Sequence, residues 1–201
     1  MRKIKSYVEG LREITFNLAP SGKLKLQICS DNVIRVVYSP KTFPLEDESL
    51  TIVKRNLKPT DWRLEKKDEE VFVITDRVIA AVNFNSGLIE FKDSSEKLIL
   101  KENFRKAIPV KVAGEKTYHV EQIFSVSENE GFYGLGQHPG IFNYRGHTIT
   151  LIQRNWDVAI PFLVSSKGYG ILWDNYSMTR ITSFRDGGRI SSDGGLKWPK
   201  L

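Results

Sequence analysis

Arg154-Asn155-Trp156-Asp157 sets a guanidinium, an amide, an indole and a carboxylate side by side. Such a set suits a sugar: the planar polar groups pair with hydroxyls through hydrogen bonds, and the indole face stacks on apolar C–H faces. The competing reading of the same residues is an exposed loop with its tryptophan folded back into the core. His119, His138 and His147 are scattered along the chain and qualify only by residue type as the acid and base of an aldose epimerase, which needs such groups around a sugar carbonyl. Neither they nor the lone Cys29 show metal-ligand spacing, so no metal and no cofactor is expected.

The Arg154–Asp157 loop, His138 and His147 lie inside Gly131 to Tyr176, a stretch dense in glycine and aromatic residues. Gly131, Gly134 and Gly136 bracket Phe132, Tyr133 and Leu135. A dinucleotide fingerprint is excluded, because the third glycine of that motif, the following helix and the distal acid are missing. The glycines instead predict a sharply bent backbone that approaches another chain segment or a ligand closely. His147 to Gln153, Ile160 to Ser165 and Gly170 to Trp173 read as strands around the Arg154–Asp157 loop.

Upstream, Leu24, Leu26 and Ile28 alternate with Lys23, Lys25 and Gln27, the period of two of a half-buried strand. Asp31-Asn32 turns the chain into Val33 to Tyr38, predicting a hairpin, with Cys29 read as a small buried hydrophobe. Residues 41 to 63 read as a polar, proline-punctuated excursion packed down by Trp62. Val71 to Thr75, Val78 to Phe84 and Leu88 to Lys92 are three short strands, Leu98 to Lys101 a fourth, and Thr117 to Val126 a strand with apolar residues on both sides. Asp186-Gly187-Gly188 and Asp193-Gly194-Gly195 read as turns. No window has a convincing helical period with a cap, so the fold class is all-β, a large antiparallel sandwich.

Bulk properties agree with one substantial folded domain or two small ones: 40% of the 201 residues are hydrophobic and 27% charged. The net charge of +6 raises nucleic acid as a partner, because clustered bases release phosphate counterions. Acids are interleaved with the bases, however, as where Lys66-Lys67 meets Asp68-Glu69-Glu70, and the reading is a mixed solvated surface with no nucleic-acid partner. The basic start MRKIK is not followed by an apolar region, and no run reaches the ~20 residues of a membrane span. A soluble cytoplasmic or periplasmic protein with no membrane partner is therefore expected.

Phe132-Tyr133-Gly134-Leu135-Gly136, Arg145-Gly146, Asn155-Trp156-Asp157 with Ile160-Pro161-Phe162, and Val164 through Asn175 together resemble the N-terminal domain of glycoside hydrolase family 31, which holds α-glucosidases and α-xylosidases. The resemblance implies a galactose-mutarotase-like β-sandwich, here residues 1–201, packed against a catalytic (β/α)8 barrel that this chain does not contain. It implies that the nucleophile and the acid/base of a retaining α-glycosidase lie on that barrel, so no catalytic residue is assigned here. It further implies that Asp157 accepts a hydroxyl of an α-xyloside or α-glucoside, that Trp156 is a stacking wall and that Asn155 is a third contact. Gln137 stands where the family often has Glu, and no role is assigned to it. An independent carbohydrate-binding module and an aldose epimerase are the alternatives of other classes.

Overall fold

The computed structural model describes residues 2–41, 49, 51–52, 60–184 and 187–192. Their regular structure is entirely β: sixteen strands, each paired antiparallel with its neighbours. The chain divides into two compact units, Met1–Lys101 and Glu102–Leu201.

In the first unit, β1 (Ile4–Glu9), β2 (Glu13–Leu18), β3 (Lys23–Ser30) and β4 (Val33–Ser39) form a sheet in chain order. A second meander runs through β5 (Arg63–Lys67), β6 (Glu70–Ile74), β7 (Val78–Asn83) and β8 (Ile89–Asp93) to the first residues of β9 (Leu98–Val112). Alternation decides which side chains go inside. On β3, Leu24, Leu26 and Ile28 are buried while Lys23, Lys25 and Gln27 stay half-exposed. The inward residues of the first sheet join Val71, Val73, Ala80, Val82 and Ile89 in one core. Each large aliphatic side chain buried there contributes about 2 kcal/mol.

Several expectations shift here. Cys29 is half-buried, not in the core, because it shares the parity of Lys25 and Gln27 and the β3–β4 register slips between Ile28 and Ser30. Strands β1 and β2 precede the expected first hairpin, and the charged strand β5 (RLEKK) occupies a sheet edge, where lysines discourage pairing with other chains. Trp62 does pack on the core, its indole Nε1 donating to the Leu11 carbonyl at 3.1 Å. Most of the 41–63 excursion, and the turns at Asp186 and at Asp193-Gly194-Gly195, lie outside the described residues.

The strand expected at Leu98–Lys101 runs on to Val112. Its alternation is hidden by Glu102 and Arg105, a buried pair: Glu102 is 2% exposed and takes hydrogen bonds from Arg105 Nε and Gln122 Nε2, both at 2.7 Å. From Glu102 onward β9 pairs with β10 (Glu115–Phe124), then β16 (Gly187–Ser192), β15 (Thr179–Phe184) and β12 (Thr148–Leu151). Strand β10 is half-buried on both faces from Thr117 to Ile123, as the mixed pattern implies.

A separate sheet of β11 (Phe132–Gln137), β13 (Val158–Ser165) and β14 (Gly170–Leu172) carries the sugar-compatible loop at the start of β13. Its register slips: Gly134 pairs with Leu163 and Gly136 with Ala159, so Leu135 alone faces Ile160, Pro161 and Phe162. Three successive residues, Gly134, Leu135 and Gly136, have φ of 87°, 61° and 97°. A Cβ at Gly136 would stand 1.7 Å from the Val158 carbonyl oxygen, and one at Gly134 2.4 Å from that of Phe162. The close approach expected of these glycines is thus an approach of backbone to backbone.

Gly136→Ala should therefore destabilise the chain by about 3 kcal/mol or more, combining left-handed strain with a backbone clash. Gly146→Ala, whose Cβ meets nothing within 4 Å at φ 79°, should cost only about 1 kcal/mol. Urea unfolding of the two variants reads the difference, and equal midpoints would refute the contact argument.

Candidate functional site

Loop 154–157 is closed by hydrogen bonds at its ends. The Arg154 amide donates to the Asp157 carbonyl at 3.4 Å, and the Ala159 amide to Gln153 Oε1 at 3.2 Å. Asn155 is exposed, and Trp156 is 83% exposed, so the tryptophan does not fold back into the core. Asp157 is half-buried and faces His138, with Oδ1 4.0 Å from Nδ1. Of the other histidines, His119 lies on β10 and His147 just before β12, where its carbonyl accepts from the Ser183 amide.

Strand β13 continues the loop with a row of outward side chains. Val158, Ile160, Phe162 and Val164 are 41%, 50%, 43% and 37% exposed, and Leu172 on β14 is 42% exposed. The period of two puts them on one face of the sheet, while Leu163 and Ser165 turn inward. The row is contiguous, unlike the singly scattered apolar residues of an ordinary surface.

Beneath the loop sheet lies a carboxylate that sequence reasoning missed. Glu130 is 3% exposed and receives four donors: the Ser127 amide at 3.1 Å, the Ser127 hydroxyl at 3.0 Å, and the hydroxyls of Ser165 and Tyr169. Burial opposes its ionisation, but these hydrogen bonds outweigh burial and hold its pKa below the ordinary value. Tyr169 is pushed the other way, by burial first and then by the carboxylate it donates to. The readable signal was Ser127-x-x-Glu130, the spacing by which a Ser and a Glu cap a turn reciprocally.

The neighbouring motif residues are scaffold as well. Arg145 Nη1 donates to the carbonyls of Ser127 and Glu130 at 2.8 and 2.7 Å, closing the same turn. Asn143 Oδ1 accepts from the amides of Phe132 and Arg145, each at 3.1 Å, and buried Tyr144 hydrogen-bonds through its amide to the Phe132 carbonyl at 2.8 Å. Gln137 ends β11 opposite Val158 and is exposed. Among the described residues, no group of three or more His, Cys, Asp or Glu side chains is placed to hold a metal ion, and no helix is long and apolar enough to cross a membrane.

An all-β antiparallel module that presents a polar, aromatic loop beside a bare apolar row is the class of protein this geometry defines. The model of the glycosyl hydrolase 31 N-terminal galactose mutarotase-like domain matches residues 23–181, and the chain belongs to that family. An α-xylosidase of Saccharolobus solfataricus is 35% identical over 186 residues, covering 87% of this chain and 25% of the relative. The crystal structure of a GH31 α-xylosidase from Xanthomonas citri superposes with a TM-score of 0.77 at 31% identity, over 86% of this chain and 19% of that one. A Flavobacterium johnsoniae GH31 dextranase, at 22% identity and TM-score 0.80, shares the fold over 95% of this chain and 25% of its own. The chain thus spans about a quarter or less of these relatives' length.

The Glu130 cluster generates a prediction with a defined sign. Because its folded pKa lies below the unfolded value near 4.5, its charge stabilises the fold above that pH, and the contribution fades as pH falls through the folded pKa. Glu130→Gln puts an amide N–H among donors and should cost about 2–4 kcal/mol at pH 7. Urea titrations at pH 7 and pH 3.5 should show the gap between wild type and variant narrowing in acid; a constant gap would argue against an ionised Glu130.

Proposed function

We infer that residues 1–201 form the single, non-catalytic N-terminal domain of a longer retaining α-glycosidase acting on an α-xyloside or α-glucoside. The domain packs on a catalytic (β/α)8 barrel and lends loop 155–157 to the substrate cleft. The observation that carries this reading is the continuity of exposed Trp156 with the apolar row Val158, Ile160, Phe162 and Val164. One strand thereby offers an apolar face for another domain and, at its N-terminal end, groups suited to a sugar at the edge of that contact. Family membership and the α-xylosidase relatives supply the reaction class.

In this role Asp157 accepts a sugar hydroxyl, Trp156 stacks on an apolar sugar face and Asn155 adds a third contact. The two carboxylates of retaining hydrolysis belong to the barrel. Glu102 and Glu130, the buried carboxylates among the described residues of the second unit, are committed to structural donors.

The full-length enzyme should hydrolyse aryl α-xylosides or α-glucosides, and the 201-residue chain should hydrolyse neither. Turnover by the chain alone would overturn the assignment. Within the full-length enzyme, Asp157→Ala and Trp156→Ala should each raise KM by about tenfold, the worth of one good hydrogen bond or stacking contact. Unchanged kinetics in the double variant would reduce the loop to a structural element.

Ile160→Asp with Phe162→Asp tests the apolar row separately. Charges on a face buried between domains are costly to desolvate, so the full-length enzyme should lose several degrees in melting temperature. The 201-residue chain, whose row faces water, should lose clearly less, only the packing of the half-exposed side chains and the strand propensity that Asp lacks.

A further inference from the structure

His138 is the one histidine that the geometry brings to the loop. Its side chain is only 9% exposed, and its ring is fixed on three sides. Nε2 lies 2.9 Å from the Leu135 carbonyl oxygen, which can only accept, so Nε2 carries a proton. Tyr144 meets the ring edge-on, with centroids 5.9 Å apart at 86°. Nδ1 is left to face Asp157 Oδ1 at 4.0 Å.

That separation is informative. It exceeds hydrogen-bond reach, so His138 does not consume a lone pair of the Asp157 carboxylate. It is also short enough that the fixed ring stands against one side of the half-buried carboxylate. The rigidity traces to the backbone, because the Leu135 carbonyl is aimed by the left-handed run Gly134–Gly136, and that run is fixed against β13.

We propose that His138 is a positioning residue for sugar binding: it buttresses Asp157 from behind and presents its carboxylate to a substrate hydroxyl. This rests on the assignment of Asp157 to the substrate cleft. His138 touches no reacting atom in this role and acts only through Asp157. Its contribution therefore lies in KM and vanishes when Asp157 is absent.

The test is a double-mutant cycle in the full-length enzyme with an aryl α-xyloside and an aryl α-glucoside. His138→Gln keeps a donor for the Leu135 carbonyl but removes Nδ1; it should raise KM roughly three- to tenfold with kcat and melting temperature held. His138→Asn, whose amide nitrogen falls near Nδ1, should recover part of that loss. In an Asp157→Ala background, His138→Gln should have no further effect on KM. A silent His138→Gln beside an effective Asp157→Ala, or an equal loss in both backgrounds, overturns the positioning role alone. A silent Asp157→Ala overturns the loop assignment and the positioning role with it. Should His138→Gln fail to fold, the same cycle run with His138→Asn decides: a KM change that depends on Asp157 supports the role, and one that does not refutes it.

Discussion

The approach of β11 to β13, too close for any Cβ at two points, is the constraint on which the loop sheet depends. With Gly134 and Gly136 pressed on the carbonyls of Phe162 and Val158, β11 must take the left-handed bend that Leu135 shares. A buried leucine at φ 61° is strained, and its complete burial offsets that strain. The bend sends the Leu135 side chain into the core and its carbonyl toward His138. It also absorbs the residues by which β13 is longer, including Pro161, which has no N–H to offer a ladder. Everything that fixes the start of β13, and so the end of the sugar-compatible loop, follows from this contact.

Glu130 secures the other end of the same sheet by a different kind of force. Shape alone fixes β11 against β13 at the glycines; at Glu130 a buried charge collects donors from the turn before β11, from the end of β13 and from the turn before β14. A buried carboxylate is stable only when its lone pairs are satisfied, so the cluster tolerates few arrangements of the three segments. Arg145 adds its guanidinium to the backbone of the same turn. The cost of burying polar groups is thereby converted into a defined geometry for the sheet that carries the loop.

Much of this was legible in the residues, and the gaps have physical reasons. Alternation located β3, short β-branched and apolar runs between turn residues located β4, β6, β7 and β8, and the Gly-x-Gly spacing announced the close approach of β11. Strand β9 was cut short because its buried Glu102–Arg105 pair puts charges at inward positions, which a polarity pattern reads as surface. Strand β5 failed for the opposite reason, as a charged edge strand has little apolar face to reveal. The loop was found by its side-chain chemistry, and the choice between an exposed and a folded-back Trp156 needed coordinates. Of the Glu130 cluster only the Ser127-x-x-Glu130 spacing shows as a pattern, and the His138–Asp157 juxtaposition shows none, since the remaining partners stand up to 39 residues apart in the chain. Motif residues such as Arg145 and Gly136 hold the sheet, so part of the family's sequence signature here records scaffold.

In the proposed role the arrangement would also account for keeping a domain without catalytic carboxylates beside a sugar-binding barrel. Loops are mobile unless their ends are anchored, and a loop that supplies one hydroxyl contact contributes little if it must be ordered on each binding event. Here the anchoring is done in advance: the glycine contact fixes the loop's C-terminal end, its own hydrogen bonds close it, and the His138 ring stands 4.0 Å from its carboxylate. The apolar row on β13 begins one residue after Asp157, so a domain covering that row would meet the loop at a set distance. Order in the loop and, on the proposed reading, docking of the sheet would then both depend on one strand, and a change that loosens β13 should weaken both together.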